Sequence, residues 1–190
     1  MKKLTLSLLI MMLTFAFANP AFANEIDDQK LDEISQKGEI VYMDDEITVR
    51  SYGNDKEISD IIFNHPNSVV ATDDEEETSE NTIKPMASAV GPGGRSSIVA
   101  GSSGRIVYWS VKPNTAWPYS FSGLVKLRYH SGFKRNQPVG GIGAFGSTVS
   151  GNVTMNKNNG GVAYLSGTAY ALNGSKFKVL PGVHESFRAN

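Results

Sequence analysis

The chain has 190 residues, a formal net charge of −1 from 18 basic and 19 acidic side chains, and no cysteine. Disulfides, thiol nucleophiles and cysteine-ligated metals are therefore excluded, and stability must come from packing and hydrogen bonding. The length suits one domain or two small ones.

The chain opens with the pattern of an export signal. Met1-Lys2-Lys3 is a short basic start, and an apolar run follows to about Phe17. Asn19-Pro20 breaks a helix there. Ala21 and Ala23 supply small residues before a signal-peptidase cut, which makes Asn24 the new N-terminus. The run is shorter than the roughly 20 residues a spanning helix needs. Residues 1–23 are thus expected to be a signal peptide and the mature protein secreted, either extracellular or wall-associated. A Lys-Lys start on a cysteine-free exported chain suits a Gram-positive bacterium.

The near-neutral total conceals a split. Residues 24–86 hold 18 acidic and five basic side chains, a net charge of −13. Residues 87–190 hold eleven basic side chains and only Glu185 as an acid, a net charge of +10. Such asymmetry implies two units with different jobs.

Residues 24–70 read as a small acidic α+β segment. Ile26 to Lys37 carries apolar residues at helical spacing, with Gly38 as a stop. Glu39–Met43 and Ile47–Tyr52 read as a hairpin around Asp44-Asp45-Glu46. Lys56 to Asn64 places Ile58, Ile61 and Ile62 on a helical face, ended by His65-Pro66. Residues 71–96 read as a disordered acidic and Gly/Pro-rich linker, because self-repulsion and low hydrophobicity oppose folding.

Residues 97–190 read as a basic, Gly-rich, all-β domain. Strands are expected at 105–111, 121–130, 162–172, 175–180 and 183–187, with one bent strand or two between Val139 and Met155. The clearest is Phe121 to His130. Phe121, Gly123, Val125, Leu127 and Tyr129 share one face; Ser122, Leu124, Lys126, Arg128 and His130 share the other. Asn173-Gly174 signals a type I′ turn. Seventeen of the 19 glycines lie after position 90, marking turns and bends. The fold class is therefore mainly β: a C-terminal antiparallel β-sandwich or small barrel, preceded by the acidic segment and the linker.

Chemistry is sparse. His65, His130 and His184 stand in no metal-ligand spacing. His184 and Glu185 are neighbours, so in a strand they point to opposite faces. One carboxylate in the C-terminal half opposes glycosidase or aspartic-protease chemistry, which needs two. Gly140 to Gly146 resembles a nucleotide fingerprint but lacks its strand-to-helix context. No catalytic residue, metal or cofactor is expected.

Two surface features remain. Trp109, Trp117 and Tyr119 cluster around Pro113 and Pro118, where aromatics either contact a ligand or plug the sandwich. Lys126, Arg128, His130, Lys134 and Arg135 form a basic patch that Lys176 and Lys178 extend. Outside a cell the matching partners are anionic wall polymers or a membrane surface; nucleic acid meets the same charge requirement but not the location. The acidic segment is itself an intramolecular partner for the basic domain. Three functions follow: a non-enzymatic protein whose basic β-domain binds an anionic envelope component, either released from an acidic propeptide or staying intact with the acidic unit, a bacteriocin-like antimicrobial or toxin precursor, and a secreted hydrolase.

Overall fold

A computed structural model describes residues 20–72, 93–157, 160–179 and 184–188, with side chains from Asp27 onward. The apolar run of the export signal and most of the linker, residues 73–92, lie outside the described residues. The backbone of Ala21, Ala23 and Asn24 falls within the first helix.

In chain order the elements are α1 (Pro20–Ile34), β1 (Glu39–Met43), β2 (Ile47–Gly53), α2 (Lys56–Asn64), β3 (Val69–Thr72) and β4 (Gly94–Ala100). Then come β5 (Ile106–Pro113), β6 (Tyr119–Tyr129), β7 (Lys134–Gly143), β8 (Val149–Met155), β9 (Gly161–Ala171), β10 (Lys176–Lys178) and β11 (His184–Phe187). They build two antiparallel sheets. The larger runs β1-β2-β8-β5-β4-β3; the smaller runs β10-β9-β6-β7, with β11 also pairing along β9.

Period-two patterning packs the two sheets face to face. Phe121, Val125 and Leu127 of β6 meet Val107, Trp109 and Val111 of β5 and Val149, Val153 and Met155 of β8 in one core. The Trp109 and Phe121 rings lie 5.7 Å apart. Phe121 needs the glycines opposite one another on β6 and β9: a Cβ on Gly123 or Gly167 would stand 2.6 Å from its ring.

The larger sheet is buried on its other face as well. Leu31, Ile34, Ile58 and Ile62 of the two helices pack on Tyr52, Val99, Ile106 and Tyr108. The result is three layers: helices, six-stranded sheet, five-stranded sheet. α2 is an amphipathic helix with Ile58, Ile62 and Phe63 buried. Asp55 caps its N-terminus by accepting the Ile58 N–H at 3.0 Å. Pro66 ends it by pushing His65 into extended backbone.

α1 is held by its C-terminal carbonyls, which a helix leaves without internal partners. Tyr108 Oη donates to the Leu31 carbonyl at 2.6 Å and Tyr52 Oη to Ile34 at 2.9 Å. Asn152 Nδ2 donates to the Ser35 carbonyl at 2.9 Å and to Tyr52 Oη at 2.6 Å. Burial pushes both phenols well above the ordinary tyrosine range, so they stay protonated donors. His65 adds a tie from behind α2, its Nε2 lying 3.1 Å from Asp28 Oδ1.

The acidic and Gly-rich stretches, separate in charge, are not separate in the fold. β2 pairs with β8 from Ile47↔Met155 to Gly53↔Ser150, and β3 pairs with β4 from Val69↔Ile98 to Thr72↔Arg95. Ile47 and Val49 belong to the main core. Two strands, β3 and β4, begin or end inside the stretch expected as linker. Their pairing brings Thr72 beside Arg95, so residues 73–92 connect two neighbouring strands of one sheet.

Elsewhere, Val139 to Met155 contains two strands, parted by a turn. The Asn173-Gly174 turn departs from type I′. Only Gly174 has a positive φ, of 86°. Ala171 N bonds Ser175 O at 2.9 Å and Gly174 N bonds Ala171 O at 2.9 Å, closing a three-residue loop with Gly174 as its left-handed residue.

Replacing Tyr108 by Phe keeps the ring in place and leaves the Leu31 carbonyl buried without its donor. The expected loss is about 1–3 kcal/mol in denaturant unfolding. Amide hydrogen exchange should accelerate most in α1.

Candidate functional site: the open face of the five-stranded sheet

Among the described residues, one sheet face carries no covering layer. Alternate residues of β6 are buried toward the core, which leaves Ser120, Ser122, Leu124, Lys126 and Arg128 on the outside. Register carries this phase to the neighbours. Lys126 stands opposite Asn136 and Tyr164, and Arg128 opposite Lys134 and Val162. Tyr170 stands opposite Lys176, Thr168 opposite Lys178, and Tyr164 opposite His184.

The face thus gathers Lys126, Arg128, Lys134, Lys176 and Lys178, interleaved with Tyr164, Tyr170 and His184. Same-face residues recur about every 6.6–6.8 Å along a strand, giving a grid of cations and rings. The Tyr164 and His184 rings stack with centroids 5.4 Å apart. Lys176 Nζ lies 5.6 Å from the Tyr170 centroid. Arg128 lies along the sheet, donating to the Arg135 carbonyl at 3.1 Å and to Asn136 Oδ1 at 2.9 Å.

Glu185 is the one carboxylate on the described strands of this sheet. It pairs with buried Ala163 and so follows the inward phase. Its carboxylate accepts the Ser186 N–H at 2.7 Å. His184, one residue away, follows the outward phase. Among the described residues no three His, Asp or Glu side chains converge as a cation site.

Several residues of the expected basic patch and aromatic cluster lie elsewhere. Arg135 stands opposite buried Leu127 and shares the inward phase. Its guanidinium turns to the acidic β1–β2 turn, where Nη1 donates to Glu46 Oε2 at 3.0 Å and Nη2 to Asp44 Oδ2. Trp109 and Tyr119 are buried, at 1% and 2% exposure, and present no surface to a ligand. Trp109 fills the core. Tyr119 Oη donates to the Ser147 carbonyl at 2.8 Å, and burial pushes the phenol up to about 12. Trp117 is exposed at 54%, on the β5–β6 loop, and His130 is exposed in the β6–β7 turn.

The aromatic partners on the face, Tyr164 and Tyr170, escape a search for basic clusters. Their signal is the alternation of β9 once its phase is tied to β6.

Arg135 belongs to a fixed clamp. The Ile47 and Glu46 N–H groups and Arg135 hold the Asp44 carboxyl well below the usual carboxylate range. A lowered folded value contributes stability that is complete above the ordinary carboxyl pKa and is lost only as pH falls through the lowered one. The destabilisation by Asp44→Asn should therefore stay constant from neutral pH down to about 4 and shrink only in stronger acid. Thermal unfolding of both proteins across pH checks this.

Compared with known proteins, the chain matches no family model and no curated relative.

Proposed function

We propose that the chain is an exported, non-enzymatic protein whose open sheet face binds a phosphate-rich anionic component of the cell envelope. The observation that carries this reading is the face itself, five cations with no carboxylate in phase with them among the described residues. Repulsion among like charges on one face costs stability unless a partner supplies counter-charge. Tyrosine and histidine rings add apolar contact between the cations, suited to the backbone of a polymer rather than to a small pocketed ligand. The basic, apolar and small-residue order of residues 1–23 supports export.

Purified full-length chain should bind soluble poly(glycerol phosphate), with affinity falling steeply as salt rises. Lys126→Gln and Lys178→Gln should each weaken binding by about 1 kcal/mol, roughly fivefold, and flatten the salt dependence. Arg135→Gln should not, because that charge is already neutralised within the fold. Binding that ignores salt, or that survives loss of both lysines, rejects this reading.

In the precursor alternative, cleavage of the linker releases a free basic domain. The strand pairing opposes dissociation. With a protease site placed between Thr72 and Gly94, the cut fragments should co-elute in native size-exclusion chromatography and separate only in denaturant. Separation under native conditions would favour the precursor instead.

A further inference from the structure

Like charges directly opposite one another destabilise an antiparallel pair, and the larger sheet holds such a pair. Arg95 of β4 stands opposite Lys112 of β5. Arg95 lies four residues from Val99 and Lys112 four from Tyr108, so both follow the phase that faces the helices. α2 does not cover them. Phe63, in its last turn, meets Arg95, whose guanidinium carbon lies 4.5 Å from the ring centroid. Among the described residues neither cation has an ion-pair partner.

The two cations line a cavity of about 470 Å³ with Asn114 and Thr115 of the β5–β6 loop and Phe145 and Gly146 of the β7–β8 turn. Phe145 has φ 53°, the only described non-glycine residue in the left-handed region, where a bulky side chain is strained. Its turn is closed by Ser147 N to Ala144 O at 3.0 Å and Ala144 N to Ser147 Oγ at 2.8 Å. Strain retained to set an aromatic ring beside a cationic cavity points to a use for that cavity.

The chain itself brings the counter-charge. Thr72 stands third in the same row, opposite Arg95, and there the chain leaves β3. It returns into β4 at Gly94, which lines the cavity opposite Pro113. Between them, residues 73–92 contain six acids, Asp73, Asp74, Glu75, Glu76, Glu77 and Glu80, and one base, Lys84. Thr72 and Lys112 are two strands apart, about 10 Å at the usual strand spacing. Each residue reaches at most about 3.3–3.6 Å, so about three residues beyond Thr72 span that distance. The first five acids are thus tethered within reach of both cations. A short tether sets an effective concentration on the order of millimolar, enough to fill a site of modest affinity.

We infer that this cavity is a docking site for an acidic peptide and that its occupant is the chain's own residues 73–77, whose carboxylates neutralise Arg95 and Lys112. The inference goes beyond the anionic-polymer reading, which concerns the other sheet and stands or falls separately. Docked there, the acids serve the larger sheet's own like-charged pair rather than competing for the cations of the open face.

The test uses the full-length chain. A water-soluble carbodiimide should join Lys112 to residues 73–77 within one molecule, and high salt should suppress the product. Absent coupling overturns the inference. So does coupling between copies in a mixture of isotopically labelled and unlabelled chain, which makes a second copy the occupant. Occupancy is read with a fluorescent peptide of the sequence of residues 71–80. It should bind a variant carrying Asp73→Asn, Asp74→Asn, Glu75→Gln, Glu76→Gln and Glu77→Gln about tenfold more tightly than the unmodified chain, whose tethered acids hold the site. Adding Lys112→Gln to that variant should weaken the peptide about threefold, while Lys126→Gln with Lys178→Gln should not. Equal binding to both chains, or binding to neither, overturns the docking. A gain that survives Lys112→Gln but falls with the open-face pair places the acids on the open face and overturns the cavity. Lys112 is exposed, so its replacement leaves the packing intact. Lys112→Gln should lower the unfolding midpoint of the unmodified chain and raise that of the five-acid variant, where it relieves repulsion from Arg95. The same sign in both backgrounds overturns the pairing.

Discussion

The pairing of β2 with β8 is the constraint on which the rest of the architecture hangs. It inserts a strand from the acidic stretch beside one from the Gly-rich stretch and carries Ile47 and Val49 into the shared core. The same pairing sets Asn152 opposite Arg50, and Tyr52, two residues further on, faces the helices with them. Tyr52 and Asn152 can then hold the end of α1. At the other end of β2, the Asp44–Glu46 turn is brought to Arg135. One strand pair thus positions the helical layer and joins the larger sheet to the smaller.

That arrangement decides which surface is free. The six-stranded sheet spends one face on the helices and the other on the core. The five-stranded sheet spends one face only. Among the described residues no element covers its outward side chains, yet they include five cations. Cations on a sheet face are ordinary when acids alternate with them across strands. Here the described acids lie on other layers, apart from Glu185, which is out of phase with the cations.

Much of this was legible in the sequence because β6 alternates so cleanly. Its phase correctly separated Phe121, Val125 and Leu127 from Lys126 and Arg128. The error at Arg135 came from grouping residues by proximity along the chain rather than by phase. Lys134 and Arg135 are neighbours, so a strand had to send them to opposite sides. Trp109 and Tyr119 were ambiguous because aromatic clusters serve cores and ligands alike, and only the partner sheet resolves them. β3 and β4 were hidden by their surroundings: short strands bordering an acidic run, with Ser and Gly among their residues. The exposed Phe145 had no sequence signal, since its left-handed φ depends on a turn closed by Ser147 and Tyr119.

The charge split acquires a different meaning in three dimensions. Along the chain it looked like a boundary between two units. In the fold, α1, α2 and the turns beside them carry Asp27, Asp28, Asp32, Glu33, Asp55, Glu57 and Asp60, while the open face carries the cations two layers away. Among the described residues, this part of the split becomes a dipole across the sandwich. A uniformly basic protein meets an anionic surface in any orientation, whereas a layered one is repelled helix-first and drawn in sheet-first. Orientation then requires the acidic segment to stay attached, and the strand pairs that retain it are the ones that complete the core. If the open face binds an anionic partner as proposed, the acidic half is the pole that fixes which face arrives first.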